Sequence, residues 1–163
     1  MSEAMATTTP DIRPAEAADM DDVRELFRAY ARSVDAPSCF EGFEAELAAL
    51  PGDCVAPLGG ILVARDAAGG RPAGVVAFRP IAPGIAEMKR LFVSPDARGL
   101  GMGHGLVEAA FSHAAACGHR ALRLSTLPAA MPAADALYRA LGFRAIAPYA
   151  GAACGASCYE KAL

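Results

Sequence analysis

A glycine-rich turn in the middle of the chain connects a predicted strand directly to a predicted helix, and it constrains the fold more than any other feature. The run Ile85 to Val93 is of β type, and the segment from about Gly103 to Cys117 has apolar residues on one helical face. Four glycines, at positions 99, 101, 103 and 105, lie at or just after the junction. Because a helix with one apolar face must bury that face, we expect it to pack against the sheet that contains the strand.

The remaining pattern predicts a mixed sheet with helices on both faces. The chain of 163 residues has about the length of one domain, and no internal repeat or linker divides it. Short turn-forming segments join the strands between residues 60 and 93, which favours an antiparallel meander. We therefore expect an α/β fold (an α+β mixed sheet) in one domain over residues 10–163, after a flexible N-terminus at residues 1–9. Strands are predicted at 11–14, 60–65, 73–80, 85–93, 121–127, from 143 and around 157–161, and helices at 17–33, about 41–50, 103–117 and 132–142.

Composition and charge exclude several classes of protein. The formal net charge is only −3 and the basic residues are scattered, so a nucleic-acid partner is not expected. No uninterrupted apolar run is long enough to span a membrane, and the first ten residues lack the features of a secretory signal. The five cysteines have irregular spacing that matches neither a disulfide framework nor a zinc site. These features predict a cytoplasmic protein with no metal.

The glycine-rich segment is chemically suited to phosphate binding. Successive unencumbered N–H groups form a concave anion site, and the first turn of the following helix adds unsatisfied donors and a positive dipole end. A dinucleotide-binding fingerprint read from Gly99 would need glycine where His104 stands, and a P-loop would need a Gly-Lys-Ser/Thr end that is absent. A plain strand-to-helix turn is the alternative, but it needs fewer glycines.

Three motifs together resemble the GNAT superfamily of acyl-coenzyme A (CoA) dependent N-acetyltransferases. The cofactor loop of this superfamily reads Arg or Gln, two residues, Gly, one residue, then Gly or Ala, and Arg98, Gly101 and Gly103 match it. Val-x-Pro at 93–95 precedes the loop, and Leu-Tyr followed by Leu-Gly-Phe at 137–143 comes after it, as is usual in the family. The resemblance implies a GNAT-type fold and transfer of an acetyl group from acetyl-CoA to a primary amine of a small molecule, amino acid or peptide.

The resemblance also implies where acetyl-CoA, as cosubstrate, would bind. In this fold the fourth and fifth strands splay apart to admit the pantetheine arm, which backbone groups of the fourth strand hold. N–H groups of the glycine-rich loop hold the pyrophosphate. The implied cofactor-binding residues are Leu91, Phe92, Val93, Arg98, Gly99, Leu100, Gly101, Met102, Gly103 and His104.

Two residues are candidates for catalysis. The place of Tyr138 in the Leu-Tyr motif matches that of the family's general acid, which protonates the departing thiolate; the alternative is a half-buried helix aromatic. Glu87, six residues before Val93, is where several related acetyltransferases keep a general base. A solvent-facing Glu87 paired with Lys89 or Arg90 is an equally open alternative.

The acceptor side is less defined by the sequence. Phe40, in a loop between two helices, and Arg79, on the third predicted strand, are candidates for substrate binding together with Glu87; the alternatives are a core phenylalanine and a surface arginine. Met131 stands where the family often has Asn, a departure that is compatible with a noncatalytic acyl-CoA-binding sensor or interaction domain. A homodimer agrees with the family, although no residue of this sequence specifies one.

Overall fold

The computed structural model describes residues 10–34, 40–67, 70–127, 132–152 and 155–163. The predicted N-terminal segment 1–9, positions 37–39 of the helix-connecting loop and Met131 lie outside these residues. Among the described residues, no helix has both the length and the apolar character needed to cross a membrane. The elements are β1 (Asp11–Pro14), α1 (Met20–Ser33), α2 (Phe43–Ala49), β2 (Gly60–Arg65), β3 (Pro72–Ala82), β4 (Ile85–Val93), α3 (Met102–Ala116), β5 (Ala121–Thr126), α4 (Pro132–Ala140), β6 (Arg144–Ile146) and β7 (Ser157–Ala162).

The strands form a seven-stranded sheet in the order β1-β2-β3-β4-β5-β7-β6. Neighbouring strands are antiparallel except for β4 and β5, which are parallel. The expected mixed sheet, with an antiparallel meander from β2 to β4, is therefore confirmed. At the far end, β7 inserts between β5 and β6, so the last strand of the chain pairs with both.

Helices cover both faces of the sheet. On one face α1 buries Val23, Leu26 and Phe27, whose spacing places them on one side of the helix, and α2 adds Leu47. Both faces of β2 and β3 are buried, which explains why these strands are nearly continuous apolar runs rather than alternating ones. On the opposite face α3 contributes Leu106, Val107, Ala110 and Ala114, and α4 contributes Tyr138.

A β-bulge interrupts β4. The register with β3 shifts between the pairs Val75–Phe92 and Ala77–Lys89, where β4 has one residue more than β3. Arg90, inside this bulge, has a left-handed φ of 60°, which is uncommon for a residue with a side chain. The extra residue reverses the faces to which the later side chains of β4 point.

The strands β4 and β5 lie side by side only at their first residues. Parallel pairing covers Ile85–Glu87 of β4 and Ala121–Arg123 of β5. Both strands continue further, to Val93 and Thr126. The strands therefore separate after the Glu87–Arg123 pair, and the gap opens along the part of β4 that leads to the glycine-rich loop.

Several predicted boundaries are wrong by one to three residues. The first helix was predicted from Ala17, but a 3₁₀ turn occupies Ala17–Asp19 and the α-helix begins only at Met20. Phe143 was predicted to begin a strand, but its N–H donates to the carbonyl oxygen of Tyr138 across a left-handed Gly142, as at a helix C-terminus. Strand β6 therefore begins at Arg144.

Candidate active site

One cleft of about 550 Å³ lies where the end of β4, the glycine-rich loop, α1 and α4 meet. All residues predicted to bind the cofactor border this cleft except Leu100, whose side chain is 72% exposed. The other side of the cleft is formed by α1 and α4. The bordering residues include Tyr30, Ser33, Leu91, Phe92, Val93, Arg98, Gly99, Gly101, Met102, Gly103, His104, Leu137 and Tyr138.

The start of α3 presents unpaired backbone donors to the cleft. Gly101 precedes the helix with a left-handed φ of 77°, and the Gly105 N–H makes the first intrahelical bond, 3.0 Å from the Gly101 carbonyl oxygen. The N–H groups of Met102, Gly103 and His104 come before that bond and have no acceptor within the helix. These donors lie at the positive end of a helix of 15 residues, an arrangement that is chemically suited to an anion.

Arg98 links the glycine-rich loop to the end of β4. Its Nε donates a hydrogen bond to the Val93 carbonyl oxygen at 3.0 Å, and its guanidinium carbon lies 5.8 Å from the centroid of the Phe92 ring. Among the described residues, its terminal amino groups have no hydrogen-bond partner. The side chain thus fixes the shape of the loop and keeps two charged donors available at the cleft.

Tyr138 places a phenol at the cleft wall. Its side chain is 7% exposed and its ring packs edge-on against Phe143, with ring centroids 5.7 Å apart. Burial raises the pKa of Tyr138 well above its usual range, so the phenol is neutral at physiological pH. No other described residue forms a hydrogen bond with its hydroxyl, which remains available as a proton donor.

A polar network that sequence analysis missed holds α4 on the sheet. The Tyr159 hydroxyl donates to Asp135 Oδ1 at 2.5 Å, and an Arg139 amino group donates to the Tyr159 oxygen at 2.8 Å. Arg139 Nε also donates to Asp135 at 3.2 Å. Asp135 and Arg139 are four residues apart, which predicts a helical ion pair, but no pattern in the sequence indicates the partner on β7. Since Tyr138 is next to Arg139, the network fixes the position of Tyr138.

Glu87 is buried and held from two sides. Arg79 Nε and Nη2 donate to Oε1 at 3.2 and 3.1 Å, and the Tyr149 hydroxyl donates to Oε2 at 2.8 Å. The exposed fraction of Glu87 is 7%. The alternative of a solvent-facing Glu87 paired with Lys89 or Arg90 is therefore wrong.

Lys89 and Arg90 instead bind a carboxylate on α2. Glu46 accepts hydrogen bonds from Lys89 Nζ at 2.8 Å and from Arg90 Nε at 3.1 Å. The Arg90 guanidinium also lies over the rings of Phe40 and Phe43, at 5.0 and 5.3 Å. These contacts connect the bulge of β4 to α2.

The structure places the two remaining substrate candidates differently. Arg79 is bound by the protein's own carboxylates, since it contacts Asp53 Oδ2 at 3.3 Å as well as Glu87. Phe40 belongs to an aromatic cluster in which its ring centroid lies 5.6 Å from that of Tyr30, a residue of the cleft. Phe40 therefore contacts Tyr30, which borders the cleft, whereas Arg79 donates hydrogen bonds to Glu87.

Comparisons with known proteins show the family of the chain. The sequence matches the model of the Acetyltransferase (GNAT) family over residues 20–143, and the chain belongs to this family. An uncharacterized N-acetyltransferase of Schizosaccharomyces pombe is 36% identical over 132 residues, which cover 80% of each chain. The resemblance inferred from the three motifs is thereby confirmed.

Solved structures with the same fold have low sequence identity. An acetyltransferase of the GNAT family from Staphylococcus aureus has a TM-score of 0.78 at 15% identity, covering 94% of this chain and 99% of that one. A GNAT superfamily phosphinothricin acetyltransferase from Sinorhizobium meliloti, in complex with AcCoA, has a TM-score of 0.71 at 22% identity, covering 95% and 89%. These similarities confirm the expected GNAT-type fold.

Proposed function

We propose that the protein is an acetyl-CoA dependent N-acetyltransferase that acts on a primary amine of a small molecule, amino acid or peptide by direct transfer. The observation that carries this proposal is that the unpaired N–H groups at the start of α3 and the neutral phenol of Tyr138 border the same cleft. The S. meliloti relative, whose structure contains AcCoA, supports the choice of cosubstrate.

The residues at the cleft fit a CoA pyrophosphate. The N–H groups of Met102, Gly103 and His104 are unpaired within the helix, and a Cβ added to Gly99 or Gly101 would meet no atom within 4 Å. The loop therefore borders open space at these two glycines. The Arg98 guanidinium adds positive charge and two unpartnered amino groups.

Glu87 would act as the general base for the acceptor amine. Acetyl-CoA supplies an acyl carbon activated as a thioester, and the acceptor must reach it as a neutral amine. Glu87 lies at the last position where β4 and β5 pair, beside the gap between the strands. Its carboxylate would accept the proton that the ammonium loses, directly or through a water molecule.

Tyr138 would act as the general acid that protonates the departing sulfur. The new carbon–nitrogen bond forms as the carbon–sulfur bond breaks, and the phenolic proton passes to the thiolate. After Glu87, the edge of β4 no longer pairs with β5, so its backbone N–H groups on that side are available to polarise the thioester carbonyl.

Direct transfer is favoured over an acetylated cysteine. Burial raises the pKa of the Cys54 thiol to about 11, which leaves little thiolate at neutral pH. In the sequence, no cysteine is adjacent to a basic partner that would activate it. Mass spectrometry of the protein after incubation with acetyl-CoA alone should show no acetylated cysteine, and an acetylated one would contradict direct transfer.

Two assays test the proposed function. Calorimetric titration with acetyl-CoA and CoA should show micromolar binding, and thiol release should appear with at least one class of amine. Tyr138→Phe should lower kcat by about 100-fold, while the Kd of CoA stays within about twofold. Thiol release as fast as in the wild type would exclude Tyr138 as the acid. Binding without release for any amine would instead indicate a noncatalytic acyl-CoA sensor.

A further inference from the structure

Five charged side chains form one row across the sheet. Their positions are directly paired from strand to strand: Arg79 with Glu87, Glu87 with Arg123, Arg123 with Glu160, and Glu160 with Arg144. Directly paired residues present their side chains on the same face. Each member of this charged row therefore has neighbours of opposite sign.

A step of the charged row is a pair of neighbouring members, and one step, Glu87 with Arg123, lacks an ion pair. Arg79 binds Glu87 at 3.1 Å, Arg123 binds Glu160 at 2.7 Å, and Arg144 binds Glu160 at 3.1 Å. Glu87 and Arg123 form no ion pair with each other. This step is also the place where β4 and β5 separate. The unpaired step thus lies where the gap between β4 and β5 begins.

Tyr149 fills the unpaired step. Its hydroxyl donates to Glu87 Oε2 at 2.8 Å, and its ring lies 5.7 Å from the guanidinium carbon of Arg123. Burial and the neighbouring Glu87 carboxylate hold the pKa of Tyr149 far above its usual range, so its hydroxyl is a donor and not an anion. Tyr149 thus offers a donor to the anionic side and a ring face to the cationic side.

The unpaired step has an excess of negative charge on the Glu87 side and an excess of positive charge on the Arg123 side. On the Glu87 side, two carboxylates, Glu87 and Asp53, share Arg79. On the Arg123 side, two arginines, Arg123 and Arg144, share Glu160. Arg123 uses only Nε for Glu160, and its terminal amino groups have no hydrogen-bond partner among the described residues. A ligand with a cationic and an anionic group would complement both sides.

We propose that this unpaired step is the acceptor site and that the acceptor is a free α-amino acid. Its ammonium group would donate to Glu87 Oε2, and its carboxylate would accept from the terminal amino groups of Arg123. The Tyr149 hydroxyl occupies the ammonium position until the acceptor displaces it. This inference rests on the proposed acetyltransferase function, and it makes Arg123 the residue that selects acceptors with a carboxylate.

The test compares matched acceptors. Each α-amino acid is assayed beside its amide and beside the amine that remains when its carboxylate is removed. For the best amino acid, kcat/KM should exceed that of its matched amine and amide by at least about tenfold, because a charge-assisted bond to Arg123 is lost in both. Equal or better kcat/KM for the matched amine or amide would overturn the proposal.

An Arg123→Gln variant identifies the residue responsible. It should raise KM for the amino acid by about tenfold or more, with little change in kcat/KM for the matched amine. Arg28→Gln removes the same charge from the surface of α1, where Arg28 pairs with Glu25. This control variant should change kcat/KM for neither the amino acid nor the matched amine. Unchanged melting temperature and acetyl-CoA affinity verify that Arg123→Gln folds. An equal loss for both acceptors would contradict the assigned role.

Tyr149→Phe tests the displacement. Without the hydroxyl, Glu87 Oε2 is open to the ammonium group, so KM for the amino acid should fall. A higher KM with a lower kcat would show that Tyr149 positions Glu87 and is not displaced. Failure of the proposed function has a different signature, namely the absence of thiol release with every amine, with or without a carboxylate.

Discussion

Arg98 and Val93 are joined by a hydrogen bond of 3.0 Å from the guanidinium Nε to the backbone carbonyl oxygen. The bond connects the last residue of β4 to the loop that precedes α3. It orients the guanidinium along the cleft, where the unpaired N–H groups of the helix also lie. The same residue therefore shapes the loop and supplies its charge.

Arg98→Ala should weaken acetyl-CoA binding by about 10- to 100-fold, the range expected for a lost charge-assisted hydrogen bond. Arg98→Lys restores the charge but not the Nε donor, so its Kd should be intermediate. Isothermal titration at one fixed salt concentration measures both. A Kd equal to that of the wild type in the alanine variant would show that Arg98 has no part in cofactor binding.

Gly101 and Gly103 should respond differently to the same substitution. At Gly101, with φ of 77°, an alanine would be strained by about 1–2 kcal/mol, and the loop should shift to relieve it. At Gly103 an added Cβ would lie 3.6 Å from Leu137 Cδ2, an ordinary contact.

Calorimetry and thermal unfolding of both variants check this prediction. Gly101→Ala should lose stability and acetyl-CoA affinity, whereas Gly103→Ala serves as the matched control and should retain both. Equal losses in the two variants would mean that backbone strain does not distinguish these positions.

Tyr159→Phe should destabilise the protein by about 1–2 kcal/mol, because Asp135 loses a buried donor and Arg139 loses an acceptor. Urea unfolding measures this change. Since the network fixes α4, kcat should also fall, whereas the Kd of CoA should change little. Asp135→Asn keeps an acceptor for Tyr159 and should be less harmful. If kcat is unaffected by Tyr159→Phe, the network does not position Tyr138.

Asp19 makes the folded state sensitive to acid. This buried carboxylate accepts bonds from Arg13 at 2.9 Å, from Arg65 at 2.7 Å and from the Glu16 N–H at 2.7 Å, and these bonds hold its pKa well below the usual range. A folded-state pKa below the unfolded value gives stability that is present above about pH 4 and is lost as pH falls toward the folded-state pKa.

Asp19→Asn should therefore lower the free energy of unfolding at pH 7 by about 2 kcal/mol. The difference from the wild type should shrink as pH decreases below about 4, which urea unfolding over a pH series measures. Asp21→Asn is a suitable control, since Asp21 pairs with Arg24 on the surface and its side chain is 97% exposed. A difference that is constant with pH would contradict the assignment to the Asp19 charge.

Local patterns in the sequence were sufficient for most elements. The bounds of β2 and β4 were predicted correctly, because apolar runs and their turn residues are close in sequence. The loop and the α4 motif were located for the same reason. The insertion of β7 between β5 and β6 was not predicted, because it depends on pairing between distant parts of the chain.

The acceptor side was the least predictable part of the site. Glu87 could be chosen as a candidate from its place in the sequence, but its partners could not, since Tyr149 is 62 residues away in sequence. The bulge was also missed, because an arginine gives no sign in the sequence that its φ is positive. Charge pairing across strands becomes visible only when the register is known.

The bulge at Arg90 divides β4 into two segments. Odd-numbered side chains point to one face of the sheet before the bulge and to the other face after it. Before it, odd-numbered Glu87 is on the α1 face and Met88 belongs to the α3 cluster; after it, even-numbered Phe92 belongs to the α1 cluster and Leu91 packs on the other side. In the proposed enzyme, the first segment handles the amine and the second the cofactor arm. The extra residue therefore lets Glu87 and Phe92, which differ in parity, point to the same face of the sheet from two successive parts of one strand.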